Sequence, residues 1–429
     1  MIIKKIIIYM LLLALVSCSR PSVETDDTHA EPGAGELTVW TWRKNYNGRA
    51  LEIALEHFLH SNPGVKLNIV DMGRDEILSR LKIHFTIKDY EGLPDIVLIE
   101  DYQIQEILRK FPGEIRALSP VLDKSKYAGF AVMAESLDDI MYGVPLDAGS
   151  AVMFYRADYI ESAGYGQADM EDLTWEKYIE IGVAVKEKTG KYMLSLTPND
   201  LWQIRLMLQS AGQWYVKEDG ITVNLAGNPV LKDAINTYID IVKSGIALHV
   251  PGYDGEYRAA GEGSVATVLT GTWRLQIMAS QPDAQEMNWA IAPIPRMSGH
   301  GSVNASALGG YGWYVIDKAG NADLAVDFLL STLVSDMDLI DELAGELTLI
   351  SPVKSAGTLP GYLKPISNFR DQPALNYLFD MMKDVPAVNY GMHTYPIDRL
   401  IENSVQLIMQ GAGIDDTLRN MQIIAEAIP

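Results

Sequence analysis

From Leu37 onward the chain alternates short β-rich runs with longer stretches in which apolar residues recur every three or four positions. No other feature constrains the fold as strongly, because strand and helix periods in regular alternation demand α/β lobes with mostly parallel sheets. Residues 37–42, 65–70 and 96–99 read as strands. Between the first two, Leu51, Ala54, Leu55, Phe58 and Leu59 fall at i, i+3, i+4, i+7 and i+8, and a second stripe runs from Ile77 to Phe85. Both stripes predict helices with one face on a sheet. Further on, Thr174 is placed to cap a helix stopping at Gly190, Asn228-Pro229 to open one ending at Gly245, and Asn321 to cap residues 322–330. At about 100–200 residues per domain, 429 residues make two or three domains.

With 48% apolar and 21% charged residues, the composition excludes disorder, collagen and coiled coil as the main architecture. The net charge of −21 and the lack of any Lys/Arg-rich stripe exclude a nucleic-acid partner, whose phosphates need a basic footprint. A single cysteine, Cys18, allows no internal disulfide, no Cys-based zinc site and no cysteine nucleophile in the folded body.

That cysteine closes an N-terminus with Lys4 and Lys5, an eleven-residue apolar run from Ile6 to Val16, and small residues. The run falls short of the ~20 residues of a membrane-spanning helix and reads as a secretory signal, residues 1–17. Leu15-Val16-Ser17-Cys18 resembles a bacterial lipobox, which implies lipidation at Cys18 and a membrane partner held through acyl chains. Residues 18–36 read as a flexible tether. Localisation at the cell envelope, secreted and lipid-anchored, follows.

Open α/β sheets bind ligands beyond the carboxyl ends of their strands. That rule selects Trp42, Arg43, Lys44 and Asn45 after the first strand, and Glu100, Asp101 and Tyr102 after the third. Trp40 and Trp42 are expected on opposite sides of the first strand, one in the core and the other at the strand end. Ser195-Leu196-Thr197-Pro198-Asn199 ends a strand and leads to Trp202, so Asn199 and Trp202 offer helix-start donors beside an aromatic. Such carboxylates, amides, arginines and rings suit a sugar, whose hydroxyls need polar edges and whose C–H faces need aromatics.

Eight short motifs in order resemble the extracellular solute-binding proteins of ABC importers, the large family that includes the maltose-binding protein. They are Leu37-Thr38-Val39-Trp40-Thr41-Trp42, Phe58 with Asn62-Pro63-Gly64-Val65, Leu93-Pro94-Asp95-Ile96-Val97 and Tyr142-Gly143-Val144-Pro145-Leu146-Asp147. Thr174-Trp175, Gly271-Thr272-Trp273, Ala292-Pro293-Ile294-Pro295 and Leu308-Gly309-Gly310 complete the series, over residues 37–429. The resemblance implies two α/β lobes of the periplasmic-binding-protein fold, joined by a hinge around an interlobe ligand cleft. Residues 37–149 with 291–335 would form one lobe, and 150–290 with 336–429 the other. It also implies an acid at Asp147 meeting ligand hydroxyls, the alternative being a capping Asp at the hinge, and a Gly-x-Trp turn in which Trp273 covers the ligand. Arg274 would bond an oxygen pair or salt-bridge a neighbour; Gly309, Gly310 and Trp313 would face the cleft, and Tyr390 and Tyr395, either side of His393, would add an aromatic or else pack in a helical core. The implied partners are a sugar or polyol and the permease subunits, with the protein a monomer.

Other motifs fail. Gly261-Glu262-Gly263-Ser264-Val265-Ala266 imitates a dinucleotide fingerprint but precedes a strand instead of following one. His57 and His60 lack a third ligand, so neither metal nor cofactor is expected. The expected function is solute binding without catalysis. Competing readings are a secreted glycoside hydrolase using Glu100 and Asp147, a surface adhesin, and a receptor for a non-sugar solute in which Arg43, Lys44 and Arg274 receive a phosphate or carboxylate.

Overall fold

A computed structural model describes residues 35–197, 201–279, 288–366, 369–370 and 372–429. Cys18, the signal run and nearly all of the tether lie outside them, as does Asn199. The strands are β1 (Glu36–Thr41), β2 (Lys66–Asp71), β3 (Ile96–Glu100), β4 (Ser136–Leu137), β5 (Ile140–Met141), β6 (Gly143–Asp147), β7 (Ala151–Arg156), β8 (Leu194–Leu196), β9 (Ala247–His249), β10 (Thr267–Gly271), β11 (Trp289–Ala292) and β12 (Tyr311–Val315). Together with the helices they form an α/β architecture of two lobes.

The first sheet runs β2-β1-β3-β12-β6. β1 is parallel to both neighbours, whereas β12 is antiparallel to β3 and β6. Helices cover both faces, which is why β3 reads as a continuous apolar run. Leu37 and Val39 join the layer of the helix Arg49–Phe58, while Trp40 packs in the layer of Ile77, Leu81 and Phe85 from the helix Arg74–Ile87.

The second sheet, β10-β7-β11, is antiparallel throughout, which corrects the expectation of mostly parallel sheets. Its neighbouring strands come from distant parts of the chain and are not joined by the single strand–helix–strand crossover that sets adjacent strands parallel. Met153, Tyr155 and Leu269 face the helices Trp175–Thr189, Trp202–Ser210 and Pro229–Lys243; Phe154 on the other face packs on Phe369 with centroids 5.4 Å apart and the rings tilted by 33°.

Two segments join the sheets and run side by side: Ala151 N donates to Ser306 O and Leu308 N to Gly149 O, each at 2.8 Å. Ile291 and Ala292, expected to begin the return to the first lobe, instead pair with β7. The helix Met337–Leu347, expected in the second lobe, packs on Arg49–Phe58, where His57 bridges Asp336 and Glu342. Thr174 and Asn228 cap as expected, accepting from Lys177 N and Leu231 N. Asn321 does not, because its side-chain amide reaches Glu36 O at 3.0 Å.

Candidate functional site

Where β1 ends at Thr41 the chain turns into a cleft of about 750 Å³, within the usual size of small-molecule sites. Residues two apart share a face of a strand, so alternation does not separate Trp40 from Trp42. The strand stops between them: Trp40 stays buried, and Trp42 lines the cleft edge-on to Tyr311 at 5.7 Å. Arg43 adopts a left-handed φ of 54° and lays its guanidinium 4.9 Å from the Tyr46 ring centroid and 5.9 Å from that of Trp273. Lys44 and Asn45 turn away from the cleft and are exposed, Lys44 Nζ reaching Ile69 O at 3.5 Å.

At the end of β3, Glu100 accepts from Arg74 Nη1 at 2.9 Å and from the Tyr395 hydroxyl at 2.6 Å. Burial and the Glu100 charge push the Tyr395 hydroxyl well above its ordinary pKa, so it stays a donor. Tyr102 accepts from Gly309 N at 3.1 Å and packs against Trp214, Tyr390 and Tyr395. Asp101 lies buried behind the wall. Gly309 and Gly310 line the cleft, and a Cβ at Gly310 would overlap the Asp101 carboxylate.

The opposite wall comes mostly from helices. Trp202 and Arg205 project from Trp202–Ser210, and Tyr253 and Glu256 from Gly252–Gly261. Tyr395, Asp398, Arg399 and Glu402 form a row at i, i+3, i+4 and i+7 on Thr394–Met409, opposite the buried Ile397, Ile401 and Val405. Trp273, in the turn after β10, lies 5.8 Å from Tyr253 with the rings tilted by 37°. Its neighbour Arg274 is buried, sits over Tyr253 at 4.6 Å and reaches Glu256 at 3.9 Å.

Of the expected residues, the structure brings Trp42, Arg43, Glu100, Trp202, Trp273, Gly309 and Gly310 together. Asp147 is elsewhere: buried at the joint, it accepts from Gly149 N (2.9 Å), Thr272 Oγ1 (3.0 Å) and Tyr46 OH (3.2 Å). Burial raises its pKa; those three hydrogen bonds oppose the shift without cancelling it, and the net direction is upward. Trp313 is locked within the first sheet, and Tyr390 is buried with its hydroxyl on Gln209. Tyr102 and Tyr395, both anticipated, also line the cleft; Arg74, Arg205, Tyr253, Glu256, Tyr311 and, on Thr394–Met409, Asp398, Arg399 and Glu402 were missed as site residues; the usable signal was a polar face opposite an apolar stripe.

The cleft lining carries four arginines and four carboxylates, with Arg74 on Glu100 and Arg205 on Asp398 at 3.6 Å. Lys44 turns away, whereas Arg43 and Arg274 lie 5.9 Å and 6.0 Å from the Trp273 ring centroid, and Asp147 does not share the cleft lining with Glu100 as a hydrolase pair would. Among the described residues, no group of three or more His, Cys, Asp or Glu is placed to hold a metal, and no helix is long and apolar enough to cross a membrane.

Two lobes around a ring-lined, charge-balanced cleft define a solute-binding protein. The chain belongs to the bacterial extracellular solute-binding protein family, whose model matches residues 54–362. It is 38% identical over 389 residues to a lactose-binding protein of Rhizobium radiobacter, covering 91% of this chain and 92% of that one. An arabinooligosaccharide-binding protein of Bacillus subtilis (strain 168) is 25% identical over 335 residues, covering 76% and 75%. The fold matches the sugar-binding protein MalE of Xanthomonas citri with a TM-score of 0.74 at 20% identity, over 91% of this chain and 96% of that one.

Proposed function

We propose that this protein is the sugar-binding subunit of an ABC importer, lipidated at Cys18, which grips a neutral di- or oligosaccharide between its lobes and delivers it to a permease. The observation that carries this reading is the cleft itself. Trp42, Tyr253, Trp273 and Tyr395 offer ring faces for sugar C–H surfaces, while Arg74, Glu100, Arg399 and Glu402 offer hydroxyl-bonding edges whose charges balance. The lactose-binding relative makes lactose the first ligand to try. Residues reach the site from both sheets, so a bound sugar would favour the closed arrangement over the open one.

Calorimetric titration with lactose, an arabino-oligosaccharide and a polyol phosphate tests the proposal. Saturable binding of a sugar, with about 2.7 kcal/mol of added stability at 100 times Kd, is expected. Binding of the phosphate alone would replace the sugar reading with an anion receptor, and sugar products in the cell would mark an enzyme.

A further inference from the structure

Two carboxyl groups that solute binding does not use lie directly behind the cleft wall. Asp101 and Glu135 are 4% and 1% exposed. Asp101 fills the space that a Cβ at Gly310 would need, and its own N–H donates to Gly310 O at 3.0 Å. Glu135 is lodged against Gly143, where a Cβ would meet both its carboxylate and the ring of Tyr314. Asp101 Oδ1, Glu135 Oε2 and the Tyr314 hydroxyl are all buried without a hydrogen-bond partner. Tyr314 is fully buried and its ring lies beside the Glu135 carboxylate at Gly143, so the group is an enclosed polar centre short of protons.

The titratable groups facing this pair are Glu100, Tyr127, Tyr311, Tyr314 and Tyr390, and none of them is a cation. Two ionised carboxylates in such a place would be uncompensated, and a buried acid in that position takes up a proton instead. Desolvation, reinforced by the charge of Glu100 on Asp101 and of Asp101 on Glu135, pushes both well above the ordinary carboxyl range.

We propose that Asp101 and Glu135 form a proton-binding site behind the cleft wall, and that its charge state sets how firmly Gly309-Gly310 is held, coupling solute binding to pH. Loss of the proton places negative charge against Gly310 and beside Glu100 and Tyr311, three residues that line the cleft. The sign follows from the direction of the shift. With folded carboxyl pKa values above unfolded ones, the pair's contribution to stability is most favourable in acid and falls as pH rises from about 4 through the folded values.

Infrared spectroscopy on the ligand-free protein at neutral pH reads the proton directly, so the result stands whether or not a sugar binds. We expect the C=O stretch of a protonated carboxylic acid, lost in the double variant Asp101→Asn/Glu135→Gln, and a melting temperature whose decline with pH flattens in Glu135→Gln. If lactose binds, its Kd should rise about tenfold for each unit by which ligand raises the pair's pKa, and Glu135→Gln should reduce that dependence. Absence of the band in the wild-type protein, or an unchanged pH slope in Glu135→Gln, would overturn the proposal. Stabilisation by sodium or potassium without the band would assign the centre to a cation instead.

Discussion

The two walls of the cleft are built by opposite means. On the side of the first sheet, residues hang from strand ends: Trp42 and Arg43 after β1, Glu100 closing β3, and Gly309-Gly310 leading into β12. Each strand end delivers only one or two side chains, because the next residues turn outward, as Lys44 and Asn45 do, or backward, as Asp101 does. On the other side, helices deliver rows: Trp202 with Arg205, Tyr253 with Glu256, and four residues of Thr394–Met409. Leu269 and Thr270 of β10, with Trp273 in the turn after it, are exceptions. Strand ends thus give fixed points, and helix faces give a broad surface. The walls meet where the Tyr395 hydroxyl donates to Glu100 and accepts from Arg74.

The largest expected effect falls at the joint between the two regions. Asp147 accepts from Tyr46 on one side and Thr272 on the other, so Asp147→Ala strands three buried donors. At about 1 kcal/mol each, unfolding stability should drop by about 3 kcal/mol in urea titration, with little change in sugar affinity where the fold survives. The opposite outcome, intact stability with lost binding, would return Asp147 to the ligand contacts.

Next in size is Trp273→Ala. Truncating a stacking ring costs about 1–3 kcal/mol, or about 5- to 200-fold in Kd by calorimetry. Trp42→Ala should cost less, since Trp42 hangs from a strand end as a single point edge-on to Tyr311, whereas Trp273 lies beside Tyr253 and extends the surface that helices build. Equal losses would erase the distinction between a point contact and a covering ring.

This division also explains what was legible in the sequence. The strand-end wall was readable because strands announce themselves by composition, and ligands sit beyond their carboxyl ends. Trp42, Arg43 and Glu100 were found that way; Lys44, Asn45 and Asp101 were included because sequence does not show where a loop turns. The helix wall was nearly invisible, since a row such as Tyr395, Asp398, Arg399 and Glu402 has the pattern of an ordinary solvated face. Only the second-lobe packing turns that face inward. Asp147 and Trp313 show the converse limit: their motif positions lie near the cleft in sequence, yet hydrogen bonding and sheet packing bury them. The antiparallel second sheet went unread because its pairings join residues more than a hundred positions apart.

The smallest effect lies outside both walls, at the contact that fixes Met337–Leu347 to the first lobe. His57 Nδ1 is 2.8 Å from Asp336 and Nε2 is 2.9 Å from Glu342, an arrangement that needs both ring nitrogens protonated. Partial burial pulls the His57 pKa down, but the hydrogen bonds and charges of Glu342 and Asp336 outweigh it, and the net shift is upward. A raised folded pKa places the stabilisation below the ordinary histidine value of about 6.5 and removes it as pH climbs through the folded value. The side chains are partly exposed, so solvent limits the contact to about 0.5–1 kcal/mol. His57→Gln should therefore lower stability by about that amount near pH 5.5 and by almost nothing near pH 9, read as the difference between variant and wild-type urea midpoints. A difference that persists at high pH would mean that His57 acts through packing beside Phe58, not through its charge.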